Sequence, residues 1–242
     1  MTALDQVDLS VGVGETVGVI GPNGAGKTTL FNCVTRTYRD HAGDIELDGS
    51  PINGLRDFAV ARRGVARTFQ HPALFPQMSV AENVAFGFDM RNPVGYIDAL
   101  CRPRKVGKAA AARNRRVDEL LELLDLTSLR NVAAAELPQG HRRLVELGRA
   151  LAMSPKLLLL DEPVAGLNTQ ESERFADLLR RVRANAEVSL LLIEHDLPFV
   201  LGLADRITVL NFGQVIATGS PGQIQSDPRV IEAYLGSAEA VA

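Results

Sequence analysis

Gly21-Pro22-Asn23-Gly24-Ala25-Gly26-Lys27-Thr28-Thr29 is the stretch on which the rest of the chain turns. It fits the pattern G-x-x-x-x-G-K-[ST], and its setting agrees: the apolar run Thr16 to Ile20 precedes it and the helical run Thr29 to Val34 follows. Glycines let the backbone curl so that successive N–H groups face an anion, and the helix N-terminus adds partial positive charge. In that geometry Lys27 reaches the β- and γ-phosphates of a nucleotide and the Thr28 hydroxyl ligates Mg²⁺. An accidental glycine-rich turn has no reason to lie between a strand and a helix in that order.

Further along, Leu157-Leu158-Leu159-Leu160 is an apolar strand ending in Asp161-Glu162. Buried strands of open α/β sheets present their last residues at the edge where ligands bind. Asp161 is then placed to hold Mg²⁺ through water, and Glu162 to polarise the water that attacks the γ-phosphate. Alone, such a pair reads equally well as a solvated strand end; downstream of a phosphate loop it gains chemistry. Gln70 closes Arg67-Thr68-Phe69-Gln70, and His195 closes the run containing Ile193-Glu194. Each in isolation reads as a polar residue finishing a strand.

Short Val-, Ile- and Leu-rich segments alternate with amphipathic ones, which favours an α/β fold. Strands are expected at Thr16 to Ile20, Lys156 to Leu160, Ser189 to Ile193 and Ile207 to Leu210, with a hairpin through Asn211-Phe212-Gly213-Gln214 into Val215 to Thr218. Between about Gln70 and Met153 the strand-like runs stop, while Val117 to Leu126 and Arg142 to Met153 carry helical apolar spacing. A helical lobe inserted into the α/β core is the reading. The basic stretch Arg102 to Arg116 reads as a solvated loop and helix.

Taken in order, Gly21 to Thr29, Gln70, Leu137-Pro138-Gln139-Gly140-His141, Asp161-Glu162, Ala165-Gly166-Leu167-Asn168 and His195 resemble the ABC ATPase cassette over essentially the whole chain. The resemblance implies a single domain: an α/β P-loop NTPase core with an inserted helical subdomain and a small antiparallel β part. The RecA-like core would span 1–70 and 154–220, the helical subdomain about 71–153, and a helical tail 221–242. It also implies ATP and Mg²⁺ as cofactors, with Gly21, Pro22, Asn23, Gly24, Ala25, Gly26, Lys27, Thr28 and Thr29 on the phosphates. Thr28, Gln70 and Asp161 are the implied metal ligands; Glu162, His195 and Gln70 carry catalysis. Pro138, Gln139, Gly140 and His141 form the implied signature, which reaches the nucleotide of an opposing subunit in a head-to-tail dimer.

Finer strings point to a subgroup. Arg67-Thr68-Phe69-Gln70, Arg142 to Leu151, Ile193-Glu194-His195-Asp196 and Val230-Ile231-Glu232-Ala233-Tyr234-Leu235-Gly236 are similar to the ATP-binding subunits of branched-chain amino acid importers. Implied partners are a second ABC ATPase subunit, two integral membrane permease subunits and, indirectly, a solute-binding protein, at the cytoplasmic face of the cell membrane. Residues Gln77 to Asn83 are the expected permease contact, with a plain surface loop as the alternative. Import of urea or amides, lipopolysaccharide export, and a non-hydrolysing nucleotide-gated partner remain the competing readings.

Three departures from the family pattern carry expectations. Pro138 stands where the signature has a serine, Gln139 where it has a glycine and His141 where it has a glutamine; a hydroxyl on the partner's γ-phosphate is lost. That asymmetry implies two unequal ATP sites in a heterodimer, with most hydrolysis at the site containing Lys27 and Glu162. Asn168 replaces the usual aspartate, an isosteric change expected to be neutral. Upstream of the phosphate loop the family's edge strand and adenine-stacking aromatic are missing, the first aromatic being Phe31, which implies a working protein with an earlier start.

Composition sets the outer bounds. The 242 residues carry a net charge of −3, which supplies no basic field for nucleic acid or anionic lipid. No apolar run approaches the roughly 20 residues of a spanning helix, and the first residues lack the basic-then-apolar pattern of a secretion signal. Two distant cysteines, Cys33 and Cys101, suit a reducing compartment.

Overall fold

The computed structural model describes residues 2–70, 72–93, 103–186 and 188–239. The chain divides into two compact units, residues 1–70 with 156–242, and residues 71–155.

The first unit is built on a six-stranded sheet in the order β4-β5-β6-β1-β7-β8. Its strands are β1 (Thr16–Ile20), β4 (Val65–Arg67), β5 (Leu157–Asp161), β6 (Ser189–Ile193), β7 (Arg206–Asn211) and β8 (Gln214–Gly219). The first five are mutually parallel, and only β7·β8 is antiparallel, the hairpin expected from Phe212-Gly213. Strands β1, β5 and β6 are buried almost throughout, which is why they read as unbroken apolar runs rather than alternating ones. A separate two-stranded ribbon pairs β2 (Glu46–Leu47) with β3 (Ser50–Pro51). Its turn residues Asp48 and Gly49 both have positive φ, 50° and 67°, as an Asp-Gly hairpin turn requires.

Helices α1 (Lys27–Val34), α2 (Asp57–Arg63), α6 (Thr169–Ala186), α7 (Leu197–Leu203), α8 (Pro221–Gln225) and α9 (Pro228–Glu239) belong to this unit. One core cluster joins Val17 and Val19 of β1, Phe31 of α1, Leu159 of β5, Leu191 and Ile193 of β6 and Leu210 of β7. Residues 2–15 carry no strand. Asp5 is fastened to the β7–β8 turn by its N–H on Gly213 O (2.8 Å), and its carboxylate accepts from Gln214 (2.8 Å).

The second unit contains α3 (Val80–Arg91), α4 (Pro103–Leu123) and α5 (Gln139–Ala152). Val84, Val117, Leu120, Leu124, Val145 and Leu151 are buried. Close approach of α3 to α5 depends on Gly87, where a Cβ would lie 2.0 Å from Arg149 O. Helix α4 takes up most of the basic stretch as a surface element, with Arg113 paired to Asp89 and Arg116 to Glu119. Arg102 itself, like Cys101, lies outside the described residues. At the head of α3, Ser79 and Glu82 form a reciprocal capping box. Asn83 is fully buried, and its side chain bonds Phe75 N and the carbonyls of Phe75, Met78 and Ser79. The segment 77–83 is therefore pinned in place by its own last residue.

Candidate functional site

Parallel strands put their C-terminal ends on one edge, so the loops after β1, β4, β5 and β6 meet there. Those loops carry Gly21 to Thr29, Gln70, Asp161-Glu162 and His195. The register aligns them: Ile193 pairs with Val19 on one side and with Asp161 on the other.

The loop after β1 curls as its glycines allow. Gly21 has φ 152°, and a Cβ there would stand 2.0 Å from Leu210 O, so no other residue fits. Gly26 at φ 100° is the N-cap of α1, with no side chain capping the helix. The first-turn N–H groups of α1 are thus left to an anion rather than to a serine or aspartate. Lys27 is buried, and its ammonium donates to Gly21 O (2.7 Å) and Pro22 O (3.0 Å), which staples the loop into a ring. An ammonium has three donors, and these bonds use two. Burial lowers the Lys27 pKa, while the charges of Glu162 and Asp161 work against that shift. Thr28 is exposed at the loop's mouth.

Glu162 adopts the left-handed region (φ 47°), an uncommon conformation for a residue with a side chain. Its N–H bonds Ile193 O (2.9 Å), which ties the end of β5 to the end of β6. Its carboxylate accepts from Gln70 Nε2 at 2.8 Å. Two residues singled out from distant parts of the sequence are therefore in direct contact. Asp161, largely buried, pairs with Arg67 (2.6 Å), and the same guanidinium donates to Asn32 Oδ1 (2.7 Å) while lying over the rings of Phe31 and Phe69.

His195 stands on the loop between β6 and α7 with its imidazole mostly exposed, and its neighbour Asp196 caps α7 through Phe199 N–H (3.0 Å). Asn168 caps α6: its Oδ1 accepts from Glu171 N–H (2.9 Å) and its own N–H donates to Glu171 (3.0 Å). In the second unit Pro138 is the N-cap of α5 and offers no side-chain bond there; Pro138 and Gln139 are exposed while Leu137 is buried.

Comparison with known proteins gives these loops a family. The ABC transporter model matches residues 4–165, more than half the chain. The chain is an ABC transporter ATP-binding cassette. A second model, that of the branched-chain amino acid ATP-binding cassette transporter, matches residues 214–240. BraF of Pseudomonas aeruginosa, a high-affinity branched-chain amino acid transport ATP-binding protein, is 39% identical over 98% of this chain and 93% of its own. LivG of Escherichia coli K12, described in the same words, is 40% identical over the same shares. Among solved structures, a nucleotide-free ATP-binding cassette from an ABC transporter superimposes with a TM-score of 0.81 at 32% identity, covering 96% of this chain and 92% of that one. The ADP conformation of MJ1267, another such cassette, gives 0.80 at 31% identity over 97% and 92%.

Two residues of this cassette's site escaped sequence reading. Arg67 is the partner of Asp161, and an arginine closing a three-residue strand gives no signal of that by itself. Glu194, immediately before His195, is completely buried. The only hint was an acidic residue inside an otherwise apolar strand end.

Proposed function

We propose that this chain hydrolyses ATP to drive branched-chain amino acid uptake through a membrane permease. The observation that carries the hydrolytic part is the 2.8 Å bond between Gln70 and Glu162 at the strand edge that also holds the phosphate loop. A carboxylate there, beside the Lys27 ammonium and held by an amide, is placed to take a proton from an attacking water. Gly21 to Thr29 bind the phosphates through backbone N–H groups, and Lys27 adds positive charge. His195 is the candidate donor to the γ-phosphate.

Thr28, Asp161 and Gln70 are the candidate holders of Mg²⁺. Their oxygen chemistry suits that ion, which binds through few protein ligands and keeps water and phosphate oxygens for the rest. When bound, it neutralises charge on the β- and γ-oxygens. The solute class is supported by the match at 214–240 and by the names that BraF and LivG carry. No described helix is long and apolar enough to cross a membrane, so transport requires separate membrane subunits in this reading.

A second ATPase chain completes the site. Pro138 and Gln139, exposed at the start of α5, offer the opposing nucleotide a helix N-terminus without a side-chain hydroxyl. This supports a heterodimer in which the site of Lys27 and Glu162 does most of the hydrolysis.

The test is ATP turnover by the full chain assembled with its membrane components, wild type against Glu162→Gln, with leucine, isoleucine or valine as transported solute and urea as control. Turnover that falls about 10²- to 10⁴-fold in the variant fits loss of a base. Unchanged turnover removes Glu162 from catalysis, and stimulation by urea alone removes the amino acids.

A further inference from the structure

Among the described residues, Glu194 is the one carboxylate at the strand edge with no exposure at all. It lies between the two chemical loops, since its neighbour Ile193 pairs with Asp161 of β5 on one side and Val19 of β1 on the other. Its oxygens divide their work. Oε1 accepts from Val164 N–H at 2.9 Å, two residues beyond Glu162. Oε2 accepts from His195 N–H at 3.0 Å and Asp196 N–H at 3.5 Å. Burial pushes the carboxyl above its ordinary range, and the backbone donors of Val164, His195 and Asp196 oppose that shift. Three backbone donors from two loops converge on this one carboxylate.

We propose that Glu194 is a positioning residue that sets the separation between the Glu162 carboxylate and the His195 imidazole by holding the backbone of both loops at once. The Glu162 backbone is gripped on two sides, by its own N–H on Ile193 O (2.9 Å) and by the Glu194 hold on Val164. The left-handed φ of Glu162 is maintained by that double attachment. His195 has a mostly exposed ring, with Nδ1 3.6 Å from Glu194 Oε2, so its direction depends on the backbone that Glu194 fixes. An amide in place of the carboxylate turns an N–H₂ toward one set of donors and releases one loop. An aspartate keeps the charge but is one methylene too short to reach both.

This inference rests on the catalytic assignment of Glu162 and His195, and the experiment separates the two. Glu194→Gln, Glu194→Asp, Glu162→Gln and, as a core control, Leu178→Ala at a buried position of α6 are compared in the assembled transporter for turnover, and as the full chain for binding of a fluorescent ATP analogue and for melting temperature. The expected result is a fall in kcat of about tenfold or more for both Glu194 variants, with the analogue's Kd within threefold of wild type. Leu178→Ala is expected to lower the melting temperature and leave kcat unchanged below it. If Glu194→Gln does not fold, Glu194→Asp carries the same criterion. Wild-type kcat in a folded Glu194 variant, or kcat loss in Leu178→Ala at matched melting temperature, overturns the positioning role. If Glu162→Gln turns over like wild type, the site assignment itself has failed.

Discussion

The Arg67 guanidinium and the Asp161 carboxylate form a 2.6 Å ion pair, each side chain only 9% exposed. The same guanidinium bonds Asn32 and stacks on Phe31 and Phe69, so one side chain links β4, α1 and the end of β5. Removing one partner of a buried pair leaves the other charge without compensation, at about 3–5 kcal/mol. Arg67→Met is expected to lower stability by about 3 kcal/mol, read as a drop in the urea midpoint at unchanged slope. Arg67→Lys keeps the charge but cannot span Asn32 and Asp161 together, and is expected to recover only part of the loss.

Gln70 holds Glu162 from the surface rather than from the core, since their bond is exposed. Gln70→Ala is therefore expected to leave the melting temperature unchanged while lowering kcat roughly 10- to 100-fold, the usual cost of deleting a side chain that orients a reacting group. Steady-state ATPase kinetics beside a thermal melt check both halves.

Two glycines make the same 2.0 Å approach to a carbonyl and differ in consequence. At Gly21 an added Cβ strikes Leu210 O beneath the phosphate loop, and the φ of 152° adds strain. Gly21→Ala is expected to abolish nucleotide binding in a chain that still folds. At Gly87 the Cβ strikes Arg149 O between α3 and α5. Gly87→Ala is expected to cost about 1–3 kcal/mol of stability and leave the affinity of the phosphate loop unchanged. Isothermal titration with ATP and urea denaturation on both variants distinguish the two.

What the sequence made legible follows from how strongly each element is buried. Strands β1, β5 and β6 read correctly within a residue because both faces are covered and the apolar run is continuous. The short elements did not: β4 has three residues and the β2–β3 ribbon two per strand, below the length at which periodicity carries a signal. Asp48-Gly49 was the available clue to that ribbon. The phosphate loop, acidic pair, Gln70 and His195 could be singled out because spacing and order constrain them. Arg67 and Glu194 were not, because their roles arise from contacts with residues about 94 and 30 positions away. Only register brings those together.

Glu15 gives a pH dependence with a definite sign. Its carboxylate accepts from Arg206 (2.8 Å and 3.0 Å) and Gly12 N–H, and chiefly the Arg206 hydrogen bond holds its pKa below the ordinary glutamate range. In the unfolded chain the group protonates first as pH falls, so the unfolded state binds more protons in that window. The stabilisation is present above about pH 4.5 and is lost as pH falls through the lower folded value. For a partly exposed pair it amounts to about 1 kcal/mol or less. Glu15→Gln is expected to reduce stability at pH 7 and to flatten the acid limb of a urea-midpoint against pH curve; an unchanged acid limb would show that Glu15 does not contribute.

Asn168 stands where the sequence reading expects aspartate, and its contacts give the difference a physical reading. It accepts from Glu171 N–H and donates its own N–H back to Glu171, a reciprocal cap on the 18-residue helix α6. Asparagine and aspartate cap with nearly equal strength, so Asn168→Asp is expected to leave stability within a few tenths of a kcal/mol. Asn168→Ala removes the acceptor and is expected to cost about 1 kcal/mol. The two effects separate capping from charge: if Asn168→Asp changes ATP turnover while stability stays constant, the residue acts across the dimer through its charge. If only Asn168→Ala has an effect, and that effect tracks stability, the residue's role is to start the helix that follows the catalytic loop.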